Sequence, residues 1–202
     1  MSQPRTRIQA RNQETILQAA LDVFSATGFR GATLDQIADV AGLSKPNLLY
    51  YFASKEAIYT ALLSGLLDTW LDPLRTMRAD GDPVQELLGY VRRKLDLARD
   101  YPRESRLFAN EILQGAPRMR AVIEGDLADL VAEKSIVLTQ WMDQGRIARL
   151  HPVHLIFSIW ALTQHYADFD MQVRAVLREE GRDPYPAARE YLETLFRKLL
   201  TP

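Results

Sequence analysis

The chain has 202 residues, 47% of them apolar, with a formal net charge of -1 and no cysteine. That length and apolar content bury a sizeable core in one large or two small domains, and the near-neutral charge excludes coating nucleic acid or an anionic membrane through bulk charge. The absence of cysteine excludes disulfides, thiolate zinc sites and a cysteine nucleophile; the start of the chain has no apolar secretory stretch, and the longest apolar run, 155–162, is far short of the roughly 20 residues of a membrane span, so a cytoplasmic protein is expected.

Charge is unevenly spread. Residues 1–55 hold six basic side chains (Arg5, Arg7, Arg11, Arg30, Lys45, Lys55) against four acids (Glu14, Asp22, Asp35, Asp39), whereas the rest of the chain holds 19 against 22. The asymmetry is mild and gains meaning only beside a motif, so any contact with nucleic acid must be local.

Helical periodicity dominates and no run alternates apolar and polar residues between turn signals, so the fold class is all-α, with about nine helices. The first, residues 9–27, carries Ile16, Ala20 and Phe24 at four-residue steps beside Leu17 and Leu21, and Gly28 supplies an αL-capable stop. Thr33 and Gln36 have the spacing of a capping box and open a short second helix that stops at Ala41-Gly42-Leu43. Ser44 caps a third, 45–51, with Pro46 in the first turn, where its missing N–H is not needed. Ser54 caps a long fourth helix, 55–77, lined by Ile58, Leu62, Leu66, Trp70 and Leu74 and kinked at Pro73. Further helices are expected at 83–99, 102–114, 121–144, 152–180 and 186–200, with prolines or glycines at nearly every boundary.

Two short helices joined by a glycine turn, behind a supporting helix, are the elements of a DNA-binding helix-turn-helix. The second of them opens with Ser44, Lys45 and Asn47 and continues through Leu49, Tyr50 and Tyr51 towards Lys55, while Leu43, Leu48 and Phe52 can face the core. Free amides at a helix start attract phosphate, Ser, Lys and Tyr fix register on the duplex, and Asn47 can pair with adenine in the major groove. By spacing alone, a surface helix with ordinary polar residues reads almost as well.

The residues themselves carry a resemblance. Thr33, Ile37, Ala38, Ala41, Gly42, Leu43, Ser44, Leu48, Tyr50, Tyr51, Phe52, Ser54, Lys55 and Glu56 stand as they do in the head of the TetR family of one-component repressors. The departure is Leu49, where the family usually has tyrosine; leucine there can touch a thymine methyl. The resemblance implies a homodimer whose two heads, residues 1–53, enter successive major grooves of a near-palindromic operator. It implies DNA contacts from Thr33, Lys45, Tyr50, Tyr51 and Lys55, alongside Ser44, Asn47 and Leu49, with Arg5, Arg7 and Arg11 as a minor-groove arm or an ordinary basic tail.

Residues 54–202 are then expected to form a helical ligand-sensing and dimerising domain. Helix 152–171 carries Leu155, Phe157, Ile159, Trp160 and Leu162 on more than one face, and helix 186–200 carries Tyr191, Leu192, Leu195, Phe196 and Leu199, so these last two helices suit a four-helix dimer interface. For the sensing site, polar groups embedded in apolar helices are the signal, since a ligand can be the partner that a buried donor or acceptor needs. Trp70 can be a stacking wall or plain core, Lys94 a buried donor or part of a solvated RRK run, and Gln164 an amide for a ligand imide or for a helix contact.

The stretches around Ser44–Tyr59, Leu66–Leu74, Lys94–Pro117 and His154–Phe169 resemble the uracil- and thymine-responsive repressors of pyrimidine utilisation within the TetR family. That resemblance implies uracil or thymine as effector, with Trp70, Lys94 and Gln164 as leading contacts and Phe108, Glu111, Trp160 and Tyr166 behind them; a dihydropyrimidine, purine or other small heterocycle or apolar effector remains an alternative. No cofactor or metal site is expected: His151 and His154 are three apart, but His151 precedes Pro152 and lies outside the helix. No Gly-rich phosphate loop, nucleophile elbow or HExxH stretch calls for a catalytic residue, so an enzyme is not expected; a helical protein–protein adaptor is the remaining class.

Overall fold

The computed structural model describes residues 7–178 and 183–202, which form helices and turns with no strand among them. The first three helices, α1 (Arg7–Gly31), α2 (Leu34–Ala41) and α3 (Lys45–Tyr51), pack around Ile16, Ala20 and Phe24 of α1, Ile37 and Ala38 of α2, and Leu48 of α3, all buried. Local chemistry sets each boundary. Gly28 (φ 69°, ψ 171°) breaks the helical run where the sequence predicts a stop, and a further short turn carries α1 on to Gly31. The Thr33 hydroxyl accepts from the Gln36 amide at 3.2 Å and the Gln36 side chain accepts from the Thr33 amide at 2.9 Å, closing the capping box that starts α2.

Gly42 (φ 67°, ψ 29°) turns the chain left-handed between α2 and α3, and Ser44 caps α3 by accepting from the Asn47 amide. Nothing lies within 4 Å of a Cβ added at Gly42, so steric space is not the constraint there; the backbone conformation is. Gly42→Ala is therefore expected to cost about 1 kcal/mol of stability, read as a melting temperature lower by roughly 2–4 °C.

Helix α4 (Lys55–Arg75) starts at the Ser54 cap and ends two residues after Pro73, short of the predicted Met77. Its far end is held by side chains from the C-terminal part of α8 (Ala128–Asp143) and just beyond: Lys134 Nζ donates to the Arg75 carbonyl at 3.1 Å, Trp141 Nε1 to the Ala79 carbonyl at 3.0 Å, and Arg146 to the Gly81 carbonyl at 2.8 Å. Helix α5 (Pro83–Asp100) runs through the middle, against α4, α6 (Pro102–Leu113), α9 (Pro152–Asp168) and α11 (Tyr185–Leu200). Its buried stripe of Leu87, Leu88, Tyr90, Val91 and Leu95 meets Leu155, Ile156 and Ile159 of α9 and Leu192 and Phe196 of α11. On the rim, Arg92 holds Glu193 through two bonds of 2.7 and 2.9 Å and Arg189 pairs with Asp96, tying α11 to α5.

The structure divides two of the nine predicted helices. The one expected at 121–144 is α7 (Arg120–Val122), a π turn (Ile123–Leu127) and α8, joined end to end. The one expected at 152–180 stops at Asp168, and α10 (Asp170–Leu177) follows after a break at Phe169 (φ -116°, ψ 29°); the predicted end at Glu180 lies outside the described residues. At the break, Arg106 of α6 donates to the freed Ala167 carbonyl at 3.0 Å, and Ser105 of α6 holds the adjacent Asp168 carboxylate at 2.6 Å. No helix among the described residues is long and apolar enough to cross a membrane.

Candidate DNA-binding surface and effector site

On α3, the one fully buried residue is Leu48, which anchors the helix, and Ser44, Lys45, Asn47, Leu49 and Tyr50 all lie exposed to solvent. Thr33 is exposed at the start of α2, so its capping hydroxyl and the first α2 amides stand beside the same surface. Lys45 meets Asp35 at 2.9 Å in an ion pair open to water on both sides. Such a pair contributes at most about 1 kcal/mol and is readily exchanged for a phosphate. Tyr50 is 71% exposed, and the half-buried Tyr51 accepts from Asn12 of α1 at 2.8 Å, so the first turns of α1 brace the end of the recognition helix.

Two of the sequence-derived assignments change. Lys55 does not face outward: its ammonium donates to the Phe29 and Ala32 carbonyls, each at 2.8 Å, and lies 4.5 Å from the Phe29 ring centroid, where it caps the end of α1. Arg7 and Arg11 lie within α1 and not in an extended arm, while Arg5 falls outside the described residues.

Inside the larger helical part, α4, α5 and α6 bring Trp70, Lys94 and Phe108 together. Lys94 is 5% exposed, its ammonium 5.9 Å from the Trp70 ring centroid, and the Phe108 ring stands edge-on to Trp70 at 5.2 Å. Burial pulls the Lys94 ammonium down to about 8, against the opposing charge of Asp168 on α9. The Lys94 ammonium makes no hydrogen bond or ion pair among the described residues, and since no fully buried polar side-chain atom there lacks a partner, its nitrogen keeps a narrow contact with solvent and has donors to spare. The Asp168 carboxyl is itself raised, chiefly by burial, with the Ser105 hydroxyl opposing.

Gln164 is half-buried one helical turn before Asp168, on the same face of α9, and its amide has no hydrogen-bond partner among the described residues. The other residues singled out from sequence go elsewhere. The Trp160 indole donates to the Tyr90 hydroxyl at 2.5 Å, and Tyr166 lies against Tyr185 with ring centroids 6.1 Å apart. Glu111 is buried but faces the first three helices, accepting from the Arg118 amide at 2.8 Å. Sequence reasoning missed Asp168 and Ser105. Asp168 was detectable as an acid four residues after Gln164 in an apolar helix; Ser105 gives no such signal. The His151 and His154 rings lie 4.5 Å apart, and no cluster of three or more metal-ligating side chains is found among the described residues.

Comparison with known proteins agrees with this arrangement of a small DNA-facing unit and a helical body. Residues 16–62 match the family described as bacterial regulatory proteins, tetR family, and residues 63–202 match the YcdC-like protein, C-terminal region. The chain is 51% identical over 179 residues to the HTH-type transcriptional regulator RutR of Escherichia coli (strain K12), covering 89% of this chain and 84% of that protein. The HTH-type transcriptional repressor NicS of Pseudomonas putida is 35% identical over 78 residues, 38% of this chain and 37% of its own. In fold, the chain superposes on the ketosteroid transcriptional regulator KstR2 of Mycobacterium tuberculosis with a TM-score of 0.72 at 21% identity, over 99% of this chain and 98% of that one. These relatives are transcriptional regulators and not enzymes. A ligand-responsive, DNA-binding transcriptional regulator is what this surface and interior amount to, and the chain belongs to the tetR family of bacterial regulatory proteins.

Proposed function

We propose that the chain is a cytoplasmic repressor that binds a near-palindromic operator as a homodimer and changes its operator affinity on binding uracil or thymine. In this reading residues 1–53 are the DNA-binding head and residues 54–202 the sensing and dimerising body. Thr33, Ser44, Lys45, Tyr50 and Tyr51 contact the phosphate backbone, and Asn47 and Leu49 face base edges. The dimer forms through α9 and α11, whose Phe157 (46% exposed) and Tyr191 (60% exposed) are large apolar side chains open to solvent in the single chain.

The observation that carries the effector is the Lys94 side chain, 5% exposed and with no hydrogen bond to its ammonium among the described residues, over the Trp70 ring that Phe108 meets edge-on. A pyrimidine base is flat enough to lie against Trp70, has a carbonyl for Lys94, and presents an imide edge that the Gln164 amide can match donor for acceptor. The resemblance of the body segments to pyrimidine-utilisation repressors supports the same class. The effector favours one packing of the body, and α4, which begins directly behind α3, passes the preference to the head.

Uracil titrated into an operator complex tests this reading, with an expected change in operator affinity of roughly 5- to 150-fold that saturates. Thymine should act alike, whereas adenine, too large for a single-ring site, should not. A response to another heterocycle and none to uracil or thymine would replace the pyrimidine with that compound.

A further inference from the structure

A cleft of about 1380 Å³ opens between α1, the first turns of α4 and the end of α6, and few polar side chains bridge it. One bridge is the exposed ion pair between Arg103 and Asp22 at 2.6 Å. The other is Arg118, whose guanidinium lies 3.5 Å from the ring centroid of Phe29 and 5.6 Å from that of Tyr59. We infer that Arg118 is a latch that, together with α4, couples the position of the head to the body, a positioning residue for the operator response that rests on the effector reading above.

Its own placement is over-determined. Glu111, buried at the end of α6, accepts from the Arg118 backbone amide at 2.8 Å and from its guanidinium at 3.4 Å. Between them the chain turns through Gly115 (φ 88°) and Ala116 (φ 52°), and Ala116 is a buried non-glycine residue in the left-handed region. Such a conformation is kept only where the surroundings enforce it, and it clusters at sites that switch. The cleft side of Tyr59 is tight as well: burial, reinforced by the Glu111 charge, pushes its phenol up to about 12.

The same helix reaches the effector site. Ser105, Phe108 and Glu111 are the buried polar and aromatic residues of one side of α6; Ser105 holds Asp168, Phe108 abuts Trp70, and Glu111 holds Arg118. A ligand seated between Trp70 and Lys94 presses on Phe108 and competes for the Lys94 charge that Asp168 feels. Either shift moves α6 as a rod, and Arg118 at its end lifts from or settles onto the Phe29 ring. A guanidinium suits this because it stacks flat on an aromatic face while keeping its in-plane donors for Glu111, and lysine cannot do both.

The test uses the full-length protein, a cognate operator fragment and uracil as probe. In wild type the ratio of operator dissociation constants with and without uracil is the coupling. Arg118→Ala should bring that ratio below about 2-fold while the uracil dissociation constant stays within about 2-fold of wild type, because the latch is remote from the effector. Phe29→Leu should reproduce the loss, Arg118→Lys should not rescue it, and the double variant should add nothing further. An unchanged ratio in Arg118→Ala, or a fall that only follows weaker uracil binding, overturns the latch.

A second readout does not depend on the effector. The chain has no cysteine, so Ala53→Cys gives one spin-label site per protomer, exposed at the head. The head-to-head distance distribution in the free dimer should widen in Arg118→Ala relative to the labelled parent. An unchanged distribution refutes the latch even if uracil proves inert, whereas a widened one with inert uracil leaves the latch standing and removes the pyrimidine.

Discussion

Lys94→Met should give a protein that is more stable than wild type and no longer responds to uracil. The Lys94 side chain is 5% exposed, its ammonium has no hydrogen-bond partner among the described residues, and burial draws it from the usual 10.5 down to about 8. Because the folded-state value lies below the unfolded one, the unfolded chain binds more protons between about pH 8 and 10.5. The cost of burying Lys94 is therefore present in full below pH 8 and is relieved as pH rises through that window. Its size is about 3 kcal/mol at neutral pH, and methionine, of similar length and wholly apolar, removes it. A melting temperature higher by roughly 6–12 °C at fixed protein concentration is the expected reading.

The same site should then fail to take its ligand. A base carbonyl gains most from the protonated amine, so wild-type uracil affinity should fall about tenfold between pH 7 and pH 9, and calorimetry should show proton uptake on binding near pH 8. Lys94→Gln should bind weakly with no such pH dependence. If Lys94→Met were destabilised and still answered to uracil, the ammonium would be a structural cation and the effector would bind elsewhere.

The second large effect belongs to α3. Asn47→Ala removes a paired hydrogen bond to a base, which carries about 1–3 kcal/mol of discrimination and occurs twice in a dimer, so operator affinity should fall by roughly 30-fold or more while non-specific binding is unchanged. Lys45→Ala should weaken specific and non-specific binding alike and lower the salt slope of log affinity by about 1 for each protomer. Lys55→Ala serves as the contrast. Its ammonium is committed to the Phe29 and Ala32 carbonyls, so the variant should melt at lower temperature with an unaltered salt slope. Filter binding across a salt series separates the three.

What the sequence made legible, and what it did not, divides along the range of the interactions. The Thr33 and Gln36 box, the Gly42 turn and the Ser44 and Ser54 caps are contacts within a few residues, and the structure forms each of them. Lys94 was ambiguous in a run of three basic residues, yet its spacing carried the answer: it shares a stripe with Leu87, Tyr90, Val91 and Ala98, all buried, while Arg92 and Arg93 point to the rim. Lys55 was misread because its partners are carbonyls more than twenty residues away. The break at Phe169 was unreadable for a related reason, since Arg106, which meets its freed carbonyl, and Ser105 lie on another helix. Glu111 entered as an effector contact only through the family resemblance; its neighbours are Arg118, brought back by the turn at Gly115 and Ala116, and Tyr59 of α4, neither of which spacing along α6 could show.

Operator binding measured with and without uracil, in wild type and in Lys94→Met, tests the coupling of the DNA-facing surface to the interior site in a single experiment. A saturable change in wild-type operator affinity, absent from a Lys94→Met protein that binds the operator as tightly as effector-free wild type, is the predicted result. Uracil shifting both proteins equally, or neither, would contradict it.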